Sequence, residues 1–83
     1  MNLYHILQTV VSAYDTYSNA VVAAPNEWTA QTMHPQDGHN IADDVDARWP
    51  SWASNPNDVT VHFLGLAADG IEQGVICSSF HAG

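Results

Sequence analysis

Short β-favouring segments alternate with clusters of turn-forming residues along the chain, and this alternation sets narrow limits on the fold. Four segments have the composition or the period-two spacing of a β-strand, and they cover residues 3–11, 20–24, 58–66 and 75–80. The alternation is strongest in 58–66, which we expect to be the central strand. Turn-forming residues fill 12–19 and 67–74, so the pattern predicts two hairpins.

Two short helices are predicted between the hairpins. Asn26 is a helix-capping residue, and Pro35 disfavours helical geometry in the residue before it, so the first helix is expected over about 26–34. Trp28, Ala30 and Met33 would provide its apolar face, and we expect Trp28 to be in the core.

The second helix is signalled more clearly and is expected over 40–49. Asn40 can cap it and Pro50 stops it. Its apolar residues recur at the spacing of one buried stripe, namely Ile41, Val45 and Trp49. We expect Trp49 to be in the core and Trp52, in the following loop, to fold back onto it.

Together these elements predict one α+β domain over residues 1–83. Its sheet would be four-stranded and mainly antiparallel, made from two hairpins, with two or three short helices on one face. A chain of 83 residues has room for one modest core and not for a deep, multi-layered active-site cleft.

The charge of the chain is strongly unbalanced. Nine Asp and Glu residues stand against one basic residue, Arg48, and the formal net charge is −8. Binding to nucleic acid or to an anionic membrane is disfavoured, because the chain cannot neutralise phosphate or headgroup charge. A positively charged partner is favoured instead.

Five aspartates fall within 22 residues, and they are Asp37, Asp43, Asp44, Asp46 and Asp58. One interpretation is a patch that imitates nucleic-acid phosphates and binds a groove lined with Lys and Arg. The other is a solvated helix face with acids near the helix start. Tyr14 and Tyr17, which flank Asp15 in the first turn, are further candidates for partner contact.

Catalytic and metal-binding patterns are weak. His34, Asp37, His39, Asp43 and Asp44 are close in sequence but match no recognised ligand spacing, so we expect no metal or other cofactor. Cys77 with His62 or His81 could form a nucleophile and base, but a lone cysteine in an apolar β-segment is more typical of a small buried residue. We expect no enzymatic activity.

Several stretches resemble a group of small proteins carried by phages and other mobile elements: YDTY at 14–17, VVAAP at 21–25, MHP at 33–35 and GVICSSFHAG at 74–83. With its size and acidity, the chain also resembles the anti-CRISPR proteins, in particular those that block type I surveillance complexes by occupying basic DNA-binding surfaces. This resemblance implies that the acidic patch is the inhibitory surface, with a CRISPR effector subunit as partner.

From the sequence we therefore expect a monomeric inhibitor of such a complex that acts by competition with DNA. The alternative is a small accessory or structural phage protein that associates through its Tyr-rich turn and its sheet edges. A single cysteine, and the lack of an N-terminal leader pattern or a long apolar run, favour the cytoplasm of the bacterial host.

Overall fold

The first hairpin forms the centre of the sheet. In the computed structural model, which describes residues 1–12, 14–43 and 50–81, strand β1 (Asn2–Leu7) pairs antiparallel with β2 (Thr16–Ala24). β1 ends before the predicted boundary at residue 11. Beyond Leu7, the buried side chain of Gln8 forms hydrogen bonds with backbone groups of Val11 and Tyr17 in place of further strand pairing. Its Nε2 donates to the carbonyls of Val11 at 2.8 Å and Tyr17 at 2.9 Å, and its Oε1 accepts from Val11 N at 2.9 Å.

The other two strands lie at opposite edges of the sheet. β3 (Thr60–Leu66) pairs with β1 and β4 (Gly74–His81) pairs with β2, which gives the order β3-β1-β2-β4, antiparallel throughout. The prediction of a second hairpin was therefore wrong, and so was the prediction that residues 58–66 form the central strand. The 67–73 connection passes the ends of β1 and β2 and does not turn back on β3.

Helix α1 (Glu27–Gln31) packs across β1, β2 and β3. Asn26 caps it as predicted, its Oδ1 accepting from Thr29 N at 2.8 Å. The helix ends earlier than expected, and at its end the Thr32 hydroxyl donates to the carbonyl of Thr29 at 3.0 Å. Trp28 is 63% exposed, so its assignment to the core was wrong. It lies about 200° around the helix from buried Ala30, two positions away.

The predicted second helix begins as the 3-10 turn Ile41–Asp43. Asn40 caps it, its Oδ1 accepting from Ala42 N at 2.9 Å. The rest of the predicted helix, 44–49, lies outside the described residues, and so does the expected core position of Trp49. A second 3-10 turn, Pro56–Asp58, leads into β3.

The core lies between one face of the sheet and residues 25–43 and 50–59 of the connection from β2 to β3. Alternate strand residues and the covering segment supply it, and its largest fully buried side chains include Trp52, Ile6 and Val22. The prediction that Trp52 folds back onto the core is confirmed. The fold is a small α+β domain with a four-stranded antiparallel sheet, as expected. Among the described residues, no helix has the length and apolarity needed to cross a membrane.

Candidate functional site

Charged residues are separated from the sheet. The four strands contain no Asp, Glu, Lys or Arg. Of the nine acids in the sequence, Asp44 and Asp46 lie outside the described residues, and the other seven are all exposed. Within the described residues, the side-chain ion pair is the one between Asp37 and His39. The acidic surface is therefore built from loops and helical turns and is not neutralised by a neighbouring Lys or Arg in this part of the chain.

Two of the exposed acids, Asp15 and Asp58, lie at the same end of the sheet. β1 ends there, and β2 and β3 begin there, with Leu7 opposite Thr60 and Asn19. Asp15 adopts a positive φ of 62°, which aspartate tolerates in tight turns, and its backbone N donates to the carbonyl of His81 at 2.6 Å. This contact ties the first turn to the end of β4.

Tyr14 is exposed, as the sequence predicted, and its ring stacks on His81 with centroids 5.2 Å apart. Tyr17 is only half-buried and not fully exposed. Its ring lies 4.7 Å from Phe80 and meets His34 edge-on at 6.0 Å. Tyr14 is therefore the tyrosine more available to a partner.

His34 is the buried centre of this region, with 3% of its surface exposed. Its Nδ1 accepts from Gln36 N at 3.0 Å, so the neutral ring carries its proton on Nε2. Nε2 then donates to the hydroxyl oxygen of Ser51 at 3.2 Å. Since a general base must accept the proton of its nucleophile, this arrangement does not activate Ser51.

Asp37 is held by His39 on the loop beside His34. Its Oδ1 contacts His39 Nδ1 and accepts from His39 N at 3.0 Å. The hydrogen bond from the His39 side chain, together with the one from its backbone, holds the pKa of Asp37 below the usual value of 3.8. Asp37 is therefore a fixed anion at neutral pH.

The structure joins some predicted contact residues and separates others. A row of ring contacts runs from Tyr17 through His34 to His39, which bonds Asp37. Asp43 lies apart from this row, at the end of the 3-10 turn that Asn40 caps. Asp44 and Asp46 fall outside the described residues, so the predicted aspartate cluster is only partly described.

Sequence reasoning missed the role of His34 and His39. The two residues close a tight loop, in which His34 N donates to the carbonyl of His39 at 2.8 Å and Gly38 N donates to that of His34 at 2.8 Å. Gly38 has a positive φ of 82°. The turn-forming segment between two histidines was the available signal, because closing it brings the two rings together.

Cys77 and His62, considered from the sequence as a nucleophile and base, do not lie together in the structure. Cys77 was expected to be buried, which was wrong: β4 is an edge strand, and Cys77 is exposed opposite Val21. His62 lies on the other edge strand, three strand spacings or roughly 14 Å away. In the described part of the chain, no three His, Cys, Asp or Glu side chains are grouped as a metal site would require.

Comparisons with protein-family models, with curated proteins and with solved structures found no match to this chain.

Proposed function

We propose that the protein binds a basic, nucleic-acid-binding surface of another protein and blocks that surface by competition. The exposed acids of the 25–59 connection and the first turn would take the positions of phosphates, and Lys and Arg of the partner would donate charge-assisted hydrogen bonds to them. No bond is made or broken in this function.

The separation of the seven described acids from the sheet is the observation that carries the proposal. All seven described carboxylates are exposed, whereas the surfaces of ordinary soluble proteins intersperse both signs of charge. An uncompensated anionic surface accelerates encounter with a cationic partner and disfavours anionic ones. It also has a cost, because mutual repulsion destabilises the folded chain.

Asp37, Asp15 and Tyr14 are the contacts best supported by geometry. Asp37 is kept ionised and oriented by His39, and Asp15 is fixed by its bond to His81. Tyr14 adds an exposed ring beside Asp15, and such rings give large contact area at low entropic cost. Asp43 and Asp58 extend the anionic surface, and Asp44 and Asp46 remain candidates from the sequence because they lie outside the described residues.

The resemblance to anti-CRISPR proteins makes a type I surveillance complex the partner we propose. The protein would act as a monomer in the cytoplasm of the bacterial host and fill the channel that reads target DNA near the PAM. It would need no cofactor.

Competition with DNA on a purified type I complex tests the proposal. The protein is titrated into the complex bound to labelled target DNA, and we expect release of the DNA. Raising the salt from low to physiological concentration should weaken inhibition by about tenfold or more, because exposed charge pairs are screened. Combined substitution of Asp37→Asn, Asp43→Asn and Asp58→Asn should abolish inhibition.

A charge-matched variant provides the control. Glu27, Asp69 and Glu72 adjoin strand ends at the end of the sheet opposite Asp15 and Asp58, and Glu27→Gln, Asp69→Asn and Glu72→Gln change the net charge equally. This control should still inhibit. Equal loss in both triple variants would show that only net charge matters, and unchanged inhibition by the first variant would refute the acidic surface. The variant Asp43→Asn, Asp44→Asn, Asp46→Asn tests the remaining aspartates in the same assay.

A further inference from the structure

Large apolar side chains are exposed along one edge strand of the sheet. Phe63 is 61% exposed, Leu64 55% and Leu66 80%, and all three belong to edge strand β3. Met1, 50% exposed, lies beside them because its carbonyl accepts from Ala67 N at 3.0 Å. Exposed apolar side chains grouped on one strand are a common feature of interaction sites.

Edge strand β3 lacks the charged residues and proline that commonly prevent pairing with another strand. β3 contains no Lys, Asp, Glu or Pro, the residues that natural edge strands use to repel another strand. Its ladder with β1 is regular from Thr60 to Phe63, and a bulge at Leu64 then interrupts it. No described strand pairs with the outer side of 60–63, so this stretch can accept one short extended segment there, next to the exposed apolar side chains.

Acidic residues flank edge strand β3 at both ends, and their charge indicates which kind of segment can pair with it. Asp58 precedes β3 and Asp69 follows it, and both are exposed. A second copy paired antiparallel would bring Asp58 of one chain toward the end that carries Asp69 in the other, and parallel pairing would place Asp58 beside Asp58. Both arrangements oppose like charges. A segment with basic residues at its ends meets an acid at each end in either direction.

We propose that β3 binds an extended peptide segment of a partner protein, apolar at alternate positions and flanked by Lys or Arg. The segment adds a strand to the sheet outside residues 60–63, and its apolar side chains cover Phe63. This site shares Asp58 with the acidic surface proposed above, but its edge strand and apolar side chains do not belong to that surface, and the inference stands without the competition with DNA.

Selection from a displayed library of random peptides, about twelve residues long so that each can span an edge strand, tests this inference on the whole protein. We expect enriched peptides with alternating apolar residues between Lys or Arg. On binding, the amides of 60–63 that face outward should become protected from hydrogen exchange, as strand addition requires. Phe63→Lys should reduce the affinity of these peptides by about tenfold or more.

Ile76→Lys is the matched control, since Ile76 is an exposed apolar residue on the other edge strand, and it should leave affinity unchanged. Circular dichroism confirms that both variants are folded. Enrichment of peptides without the basic flanks, or binding that survives Phe63→Lys, would overturn the proposal. The proposal would also be overturned if the protein sediments as a dimer and Phe63→Lys converts it to a monomer, because a second copy would then occupy the edge of β3. Peptides whose binding is abolished by Asp37→Asn but not by Phe63→Lys bind the acidic loops, and such peptides would also count against the proposal.

Discussion

The rings of His34 and His39 stack with centroids 4.6 Å apart and planes 14° from parallel. His34 is buried and bonded through both ring nitrogens, whereas His39 is only partly buried and bonds Asp37. The buried ring thus fixes the position of the outer one, and through it the position of a carboxylate that we place in the partner-binding surface.

The tautomer of His34 can be checked directly. Because Gln36 N–H donates to Nδ1, nitrogen chemical shifts in NMR should show the neutral ring protonated at Nε2. Ser51→Ala should leave this tautomer unchanged and lower the free energy of unfolding by about 1 kcal/mol through the lost hydrogen bond. A ring protonated at Nδ1 would contradict the arrangement.

Asp37 should titrate below 3.8, its usual pKa. A lowered pKa means that Asp37 contributes to stability above pH 3.8 and that this contribution is lost as the pH falls through the lowered value. NMR titration of its carboxyl carbon measures the midpoint. His39→Phe keeps a ring for stacking but removes the side-chain hydrogen bond, so the pKa should rise toward 3.8. The pKa should return only partly toward 3.8, since the backbone N–H of residue 39 still donates to Asp37. A midpoint at or above 3.8 in the unmodified protein would disprove the pairing.

Replacing Gln8 should destabilise the fold more than its size suggests. Gln8→Leu leaves the N–H and carbonyl of Val11 and the carbonyl of Tyr17 without this partner, and should cost about 1–3 kcal/mol in urea unfolding. Gln31→Leu is the comparison, since Gln31 bonds only carbonyls and is less buried. A neutral effect of Gln8→Leu would mean that water replaces the amide.

Substitution of Trp52 should lower the free energy of unfolding much more than the same substitution of Trp28. Trp52 is buried, so Trp52→Ala should cost about 3–5 kcal/mol, close to the whole stability of a small domain. Trp52→Phe should cost less, about 1–2 kcal/mol, because Nε1–H has no hydrogen-bond partner among the described residues and is removed with the ring. Trp28→Phe should change stability by less than about 0.5 kcal/mol. Equal losses for the two phenylalanine variants would contradict the assignment of Trp52 to the core.

Local patterns predicted local structure well. The presence of four strand segments, the cap at Asn26 and the return of Trp52 to the core all follow from residues close together in sequence, although residues 16–19, predicted to be a turn, belong to β2. The exposure of Trp28 was not predictable in this way, because the face of a short helix that is buried depends on how the helix packs against the sheet. The end of α1 likewise depends on the hydrogen bonds of Thr32 to the carbonyls of Trp28 and Thr29.

Pairing between distant strands was not predictable in the same way. Residues 58–66 and 75–80 are neighbours in sequence with turn signals between them, which favours a hairpin, yet each binds a different side of the first hairpin. The site depends on that choice, since Tyr14 and Asp15 meet His81 only because β4 lies beside β2. Charge, by contrast, is visible in composition alone, and its separation from the strands can be read once their bounds are known.

The strand order β3-β1-β2-β4 also has a kinetic meaning. The central pair is the most local contact in the sheet, so β1 and β2 can form a nucleus before the rest of the chain is ordered. β3 and β4 must close much longer loops, and they add afterwards to the two sides of that nucleus. We expect mutations in the first hairpin to slow folding and mutations in the outer strands mainly to accelerate unfolding.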